Sequence, residues 1–219
     1  MNVDKNDLQT RLKLIRKGFR EIGLIDGWMV YEPGPKDELV SKFPVEVATR
    51  IDGLKLRQYR LGDAAELTAM SERNAEFWGS GFQTQDMVER IKRAIISSAK
   101  NERADYAVEF EGVIVGAIGI NFIHDYTKSA SVGYSMDKAY TGRGFMSAAL
   151  LAFDTVCFDA FGLHKINIET ATDNEPSIAM LENCGYKYKG IDREMFYYDD
   201  KWNDYIEFTK INKNWKEEK

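Results

Sequence analysis

Two stretches of the chain, separated by four residues, decide how it folds: Ser131-Val132-Gly133-Tyr134-Ser135-Met136 and Thr141-Gly142-Arg143-Gly144-Phe145-Met146. Alternating apolar residues in the first stretch predict a strand with one buried face, and the second stretch begins a segment with helical apolar spacing. Glycines at this junction let the backbone curl, so that successive N–H groups point to one place beside the positive end of the helix dipole. The junction predicts a site for a pyrophosphate, to which Arg143 adds a forked charge.

The glycine spacing differs from two common nucleotide-binding loops. No lysine follows a second glycine as in the loop that binds ATP phosphates. Ser147 stands where the dinucleotide pattern Gly-x-Gly-x-x-Gly requires its third glycine. A tight turn without any ligand would also produce Gly-x-Gly, so the neighbouring segments have to decide between the two interpretations.

The neighbouring segments predict one mixed α/β domain. Before the glycine turn, the patterns predict a strand at 54–57, helices after Asp63 and Thr84, and a hairpin over 106–122 that turns at Glu111-Gly112. After it, they predict the following elements: a helix over 145–160, a strand over 165–171, a helix over 174–183, and strands over 186–191 and 205–211. The order of helices and strands is that of a mixed α/β fold.

The first part of the chain has a different pattern. Residues 1–48 predict an N-terminal helical extension, and residues 49–219 predict the main domain. Apolar spacing predicts a helix over 6–22, and Pro33-Gly34-Pro35 predicts a stiff turn. The helix could cover an acceptor site, form a homodimer, or pack on the domain with a solvated basic face.

The composition restricts the partners. Of the 219 residues, 44% are hydrophobic and 30% are charged, and the net charge is −5. The acidic balance argues against direct contact with nucleic acid and is compatible with an amine substrate. No apolar run approaches the roughly 20 residues of a membrane-spanning helix. The polar start is unlike a secretory signal.

The few cysteines and histidines of the chain indicate whether it binds a metal and in which cellular compartment it lies. Cys157 and Cys184 lie in apolar segments without paired metal-ligand spacing, which predicts buried reduced thiols in a cytoplasmic protein. With His124 and His164 as the only histidines, no multi-histidine metal site is expected.

Four motifs follow one another in the chain: Gly133-Tyr134 in a strand, Gly142-Arg143-Gly144 before a helix, Asn174-Glu175-Pro176-Ser177 at a helix start, and Gly185-Tyr186 after its end. This succession resembles the GNAT superfamily of N-acetyltransferases, in particular its branch of ribosomal-protein serine/alanine N-terminal acetyltransferases. The resemblance covers about residues 50–212. It implies a mixed, mostly antiparallel, splayed central sheet flanked by helices, acetyl-CoA as cosubstrate, no metal, and an amine as acceptor.

The resemblance also implies a cofactor site. Strand backbone groups would bind the pantetheine arm, amides of the glycine turn would hold the pyrophosphate, and the start of the short helix would face the pantetheine and the thioester sulfur. The implied residues are, in that order, Tyr134, Ser135 and Met136; Thr141, Gly142, Arg143, Gly144, Phe145 and Met146; and Asn174 and Ser177. Asn174 is also a good helix cap without any ligand.

The implied reaction is direct attack of a neutral amine on the thioester in a ternary complex. A backbone N–H near Met136 could polarise the carbonyl. Many members of the family protonate the thiolate with a tyrosine, but this chain has Leu181 at that position. We therefore expect Ser177, or a water that it holds, to replace it.

The base differs from the family pattern too. Ser131 stands where related enzymes often carry glutamate, so we expect Glu194 to act as base, with Glu169 as the second candidate. The acceptor stays open between the α-amine of a protein, such as a ribosomal protein, and a small amine such as a polyamine or aminoglycoside. A catalytically silent acyl-CoA-binding protein is a third alternative. Trp78 and Trp202 are expected near the acceptor site.

Overall fold

Eleven strands and six α-helices form the regular structure of the residues that this computed structural model describes, which are 2–4, 6–16, 19–25, 28–33, 43–78 and 87–216. The strands are β1 (Asn2–Asp4), β2 (Phe19–Ile25), β3 (Trp28–Pro33), β4 (Glu46–Ala48), β5 (Leu54–Gln58), β6 (Asp105–Phe110), β7 (Val113–His124), β8 (Ser129–Met136), β9 (Lys165–Ala171), β10 (Lys187–Tyr198) and β11 (Lys201–Ile211). The helices are α1 (Leu8–Arg16), α2 (Ala64–Arg73), α3 (Ala75–Trp78), α4 (Met87–Ala99), α5 (Phe145–Thr155) and α6 (Glu175–Asn183). In these described parts, no helix is long and apolar enough to cross a membrane.

Eight strands form one sheet in the order β10-β11-β9-β8-β7-β6-β5-β4. Every neighbouring pair is antiparallel except β8 and β9, which are parallel and pair only from Ser129 to Ser131. Beyond Ser131 the two strands separate. The prediction of a mixed, mostly antiparallel and splayed sheet is confirmed.

Helices cover both faces of the sheet, because apolar side chains alternate along its strands. On β6, Tyr106 and Val108 belong to the core that contains α5, whereas Ala107 belongs to the core that contains α2 and α4. On α5, Leu150 and Phe153 are fully buried. The sheet therefore separates an α5–α6 side from an α2–α4 side.

The elements around the glycine turn agree with the sequence prediction. Residues Glu111 and Gly112 of the β6–β7 turn have φ angles of 48° and 85°, as a two-residue hairpin loop requires. The helix predicted over 145–160 is α-helical to Thr155 and ends in a π-helical turn, Val156–Ala160.

The last two strands are longer than predicted. Strand β10 extends to Tyr198 and β11 begins at Lys201. Bulges interrupt the pairing after Tyr188 and after Asp192, and each bulge shifts the alternation of side chains by which a strand is identified. The predicted strand ended at 191, just before the second bulge.

The first residues correct one prediction. The helix predicted over 6–22 ends at Arg16, and Phe19–Ile25 is a strand that pairs with Trp28–Pro33. With β1 these strands form a second, three-stranded sheet, so the extension is mixed rather than only helical. This part of the extension is rich in β-branched and aromatic residues, which favour strands. That preference overrides the helical spacing of its apolar residues. The turn predicted at Pro33-Gly34-Pro35 lies mostly outside the described residues, as does Thr84.

The eight-stranded sheet and its core include residues before position 49. Strand β4 begins before residue 49 and pairs with β5 in the eight-stranded sheet, and Phe43 is buried in the main core. That the residues before β4 form a separate extension stays a prediction.

Candidate cofactor and acceptor site

The register of β8 determines which of its backbone groups are open. The N–H of Asp137 donates to the carbonyl of Val115, just beyond the paired part of β7. Backbone groups of successive strand residues point alternately to the two sides, so Ser135 also faces β7. Tyr134 and Met136 face the opposite edge, where β9 has separated from β8. Of the three strand residues predicted to bind the cofactor, Tyr134 and Met136 turn their backbone groups toward the opening, although the Met136 carbonyl accepts from Trp78 Nε1, and Ser135 faces β7.

The glycine turn follows β8 directly. Gly142 and Gly144 have φ angles of 73° and 74°, in the left-handed region that side chains rarely adopt. Gly144 is the N-cap of α5 and lacks a capping side chain, so free N–H groups of the first turn lie beside the exposed loop. Phe145 and Met146 are buried and anchor the helix start. Exposed amides at a helix N-terminus suit a pyrophosphate.

Arg143 is held loosely next to this turn. Its guanidinium lies 5.1 Å from the centre of the Tyr140 ring and donates from Nη2 to the carbonyl of Ala139 at 3.3 Å. The side chain is exposed. An arginine with so few fixed contacts can reorient toward a phosphate. Thr141 donates its hydroxyl to the carbonyl of Lys138 at 2.8 Å, which helps close the turn.

Two hydroxyl groups meet where α6 approaches β8. Tyr134 Oη and Ser177 Oγ lie 2.6 Å apart, and burial raises the pKa of Tyr134 to about 12. Asn174 caps α6, because its Oδ1 accepts from the N–H of Ser177 at 3.2 Å. Ser177 is half-buried, so its hydroxyl is fixed by Tyr134 at the opening between the strands.

Across the opening, Glu169 lies on β9. Ser131 donates to its Oε2 at 3.2 Å, just where β8 and β9 separate. Burial raises the pKa of Glu169, and the neighbouring Glu207 raises it further. Glu207 lies directly opposite Glu169 on β11 and pairs with Lys189 at 2.6 Å. Glu169 is therefore a half-buried carboxylate at the start of the opening.

Glu194 lies in a different setting. It is exposed, has a φ of 53°, and sits in the bulge of β10. Its backbone N–H donates to Asp204 Oδ1 at 2.8 Å, and the carbonyl of Asp204 accepts from Thr172. The bulge therefore adjoins the loop that leads from β9 to α6. In the described residues, no group of three or more side chains could hold a metal ion.

The comparison with protein families decides the family. Residues 53–187 match the acetyltransferase (GNAT) domain, and this match spans more than half of the 219 residues. The chain belongs to the GNAT family. It is an acetyl-CoA-dependent N-acetyltransferase.

Three relatives illustrate the relationship within GNAT. Bacillus subtilis YdaF is 23% identical over 160 residues, which cover 71% of this chain and 87% of that protein. The ribosomal-protein-serine acetyltransferase of Escherichia coli is 26% identical over 101 residues, 46% of this chain and 56% of that protein. The structure of the ribosomal-protein-S5-alanine acetyltransferase from Vibrio fischeri is 24% identical. It covers 78% of this chain and 100% of that one with a TM-score of 0.71, which is a similarity of fold.

Leu181 is the residue that the resemblance places at the position of the tyrosine acid. This leucine is fully buried in the core, so it packs α6 and contributes no chemistry. A phenol is nevertheless present, because Tyr134 reaches Ser177 from β8. From the sequence, only the backbone of Tyr134 was expected at the site. The alternation of side chains along β8 turns Tyr134 toward the α5–α6 side, so the position of its phenol near α6 could have been predicted from the sequence.

A groove of about 710 Å³ lies on the α2–α4 side of the sheet. Its lining includes Met70 of α2, Trp78 of α3 and Ser135 of β8. Other lining residues lie on several faces of α4, so the space is a set of connected grooves rather than one chamber. At Ser135 the groove reaches the face of β8 that points away from α5. Trp202 packs edge-on against Tyr197 on the β10–β11 hairpin, with ring centres 5.4 Å apart, and its place near the acceptor site stays a prediction.

Proposed function

We propose that this enzyme transfers the acetyl group of acetyl-CoA to the N-terminal α-amine of a protein, with a ribosomal protein as the first candidate. The observation that carries the proposal is the open edge of β8, where the backbone of Tyr134 and Met136 faces the hydroxyl-bearing start of α6. A peptide-like pantetheine arm can bind such an edge as an additional strand.

The cofactor would lie along one continuous path. The pantetheine arm binds the edge of β8 and the start of α6 at Asn174 and Ser177. The pyrophosphate binds amides from Thr141 to Met146, with Arg143 as the adjacent cation. This path passes the exposed helix start, where Gly142 and Gly144 have left-handed backbone and carry no side chain that would cover the amides.

At the thioester, positioning and electrostatics supply the catalysis. The N–H of Met136 faces the opening and is a donor for the carbonyl oxygen, whose negative charge grows as the amine attacks. The departing thiolate takes a proton through Ser177, whose hydroxyl recovers one from a solvent water in the same step, so that no alkoxide remains. Tyr134 retains its own proton near neutral pH because burial raises its pKa to about 12, and it can donate a hydrogen bond to Ser177.

A base removes the proton from the attacking amine. Glu169 is half-buried at the start of the opening, and its raised pKa moves it toward the working range of a general base. Glu194, exposed in the bulge of β10, is the alternative base. The two carboxylates lie in such different environments that a pair of glutamine variants distinguishes them.

The chemistry favours an α-amine. An α-amino group has a pKa of about 7.7–8.0 and a lysine amine about 10.4, so a larger fraction of the α-amine is neutral at pH 7. Ser131 stands where related enzymes often carry a glutamate base. A site without that base suits an α-amine, which needs less assistance in losing its proton than a lysine amine does. Two similar proteins carry names as acetyltransferases of ribosomal proteins, which supports a protein N-terminus.

One observation favours a second candidate, a small polyamine. Glu169 and Glu207 lie directly opposite each other on adjacent strands, an arrangement that is unfavourable without a cation nearby. Lys189 already pairs with Glu207, which reduces the need for a second cation.

Release of the coenzyme A thiol tests the proposal. Purified protein is mixed with acetyl-CoA and with serine- or alanine-starting peptides, spermidine or an aminoglycoside. The proposal predicts peptide-dependent thiol release that is abolished when the peptide N-terminus is blocked. Release with spermidine alone would favour the polyamine. Tight acetyl-CoA binding without release by any acceptor would favour a silent acyl-CoA-binding protein.

A further inference from the structure

Side chains from the junction of α2 and α3 hold the backbone at the end of β8. Trp78 Nε1 donates to the carbonyl of Met136 at 2.9 Å. Asn74 Oδ1 accepts from the N–H of Lys138, also at 2.9 Å. The partners are 58 and 64 residues apart in sequence, so neither bond is a local cap.

Arg73 binds the residue between these two. Its Nε donates to Asp137 Oδ2 at 2.8 Å, and its Nη2 donates to the same oxygen. The other oxygen of Asp137 accepts from the N–H of Ala139 at 3.1 Å. Burial disfavours the charged form of Asp137, but the hydrogen bonds from Arg73, Ala139 and Asn74 outweigh it, and its pKa is lowered.

The holding residues are themselves fixed. Asn74 is 1% exposed, and its Nδ2 donates to the carbonyl of Met70 at 2.8 Å, so its amide cannot rotate without breaking two bonds. The Met136–Asp137 peptide is held on both sides, because the N–H of Asp137 donates to Val115. Three consecutive residues are thus positioned by side chains from the α2–α4 side of the sheet.

These three residues lie between the two cofactor-binding segments of the proposed function. Met136 ends the open edge of β8, and Lys138 begins the short turn that leads to Gly142. We propose that Arg73, Asn74 and Trp78 form a clamp that fixes residues 136–138 in the geometry that binds acetyl-CoA. They are positioning residues, because they act through the backbone of β8 and need not touch the cofactor. This inference rests on the proposed function.

The clamp connects the two substrates. Met70 of α2 and Trp78 of α3 line the groove on the α2–α4 side of the sheet, where the acceptor would bind, and the clamp ties these helices to the backbone proposed for acetyl-CoA. Loss of one clamp bond frees the turn before the glycine loop. Acetyl-CoA must then order this segment on binding, which weakens its affinity.

The chain offers a matched control for Arg73. Arg103 binds Asp105 through Nε and Nη2, both at 2.7 Å. The side chains of Arg73 and Arg103 are 45% and 41% exposed, and those of Asp137 and Asp105 are 4% and 10% exposed. The two pairs therefore have similar surroundings, but only Asp137 adjoins the cofactor turn.

The test measures acetyl-CoA dissociation constants by calorimetry, and Tm without ligand, for wild type and four variants: Arg73→Gln, Arg73→Lys, Trp78→Phe and Arg103→Gln. We expect Arg73→Gln and Trp78→Phe to weaken acetyl-CoA binding about fivefold to tenfold, as the loss of one or two net hydrogen bonds implies. Arg73→Lys should recover part of the affinity, because it keeps the charge. Arg103→Gln should lower Tm as much as Arg73→Gln and bind acetyl-CoA within about twofold of wild type.

Wild-type affinity in both Arg73→Gln and Trp78→Phe would overturn the clamp. So would an equal loss in Arg103→Gln, because general destabilisation would then explain the effect. Failure of the wild-type protein to bind acetyl-CoA would contradict the proposed function itself, and the clamp proposal, which depends on that function, would then be rejected as well.

Discussion

The hydroxyl groups of Tyr134 and Ser177 lie 2.6 Å apart, although 43 positions separate them in the chain. Tyr134 belongs to β8 and Ser177 to the first turn of α6, so the bond connects the open strand edge to the helix beside it. We propose that this hydroxyl pair delivers the proton to the departing thiolate, because Leu181, which the resemblance places at the position of the usual tyrosine, has no acidic group.

Replacing Ser177 with alanine should lower kcat about 100-fold, which is within the usual range for removing a general acid. The acetyl-CoA dissociation constant should change much less, since most cofactor contacts are to the backbone. Steady-state kinetics and calorimetry separate the two quantities. Tyr134→Phe, which keeps the ring, should give a smaller loss of kcat. A Ser177→Ala enzyme with weaker acetyl-CoA binding but full kcat would contradict the assignment.

Replacing Glu169 with glutamine should lower kcat/KM about 100-fold and remove the acidic limb of its pH profile. Glu194→Gln is the matched comparison, and it should retain both the rate and the limb. The opposite result, with the loss confined to Glu194→Gln, would make Glu194 the base.

Glu169→Gln should also change how stability depends on pH. Burial raises the folded-state pKa of Glu169 above the unfolded value of about 4.3, so the folded protein holds this proton more tightly. Wild type therefore loses stability as pH rises from about 4.3 through the raised pKa, and glutamine cannot ionise. The Tm of the variant minus that of wild type should increase between about pH 4 and pH 7. A difference that stays constant over this range would show that the folded-state pKa is not raised.

Replacing Gly144 with alanine should destabilise the protein by about 1–2 kcal/mol, because its φ of 74° is left-handed. Acetyl-CoA binding should weaken as well, since the turn relaxes away from the pyrophosphate. Gly62→Ala is the control, because Gly62 has open space around it and no left-handed φ. Equal Tm values for the two variants in thermal unfolding would contradict the strained-turn account.

A buried network away from the site offers a test of stability alone. Asp154 accepts hydrogen bonds from Tyr186 and Lys210, both at 2.6 Å, and so connects α5 to β11. Asp154→Asn should cost about 1–3 kcal/mol, because it removes the charge that pairs with Lys210, although Lys210 keeps its bond to the carbonyl of Cys184. Chemical denaturation measures this cost. Acetyl-CoA affinity of the folded variant should stay near wild type, and a variant of unchanged stability would refute the prediction.

Helices and strands whose apolar residues recur at one regular spacing could be predicted from the sequence. Strand β9 agrees residue for residue with its prediction over 165–171, and α6 begins one residue after the predicted cap Asn174. The glycine turn was predictable because only glycine adopts its backbone angles readily. The bulges of β10 and the hairpin of β2 and β3 were not predicted, since a bulge shifts the alternation and the hairpin overrides a helical pattern.

The contacts across the opening needed the structure. Ser131 with Glu169, and Tyr134 with Ser177, depend on the distance at which β8 and β9 separate, which tertiary packing sets. Likewise, nothing local in Arg73 or Trp78 indicates a partner about 60 residues away. Sequence motifs located the cofactor turn, whereas the side chains around it became evident only from the fold.

One experiment bears on the whole account: fragment-ion mass spectrometry of a peptide that has a free N-terminal serine or alanine and one internal lysine. The peptide is incubated with the enzyme and acetyl-CoA, and spermidine is present as a competitor. The account predicts one acetyl group on the α-amine, and no product from the peptide with a blocked N-terminus. Acetylation of the lysine, or of spermidine in preference to the peptide, would contradict it.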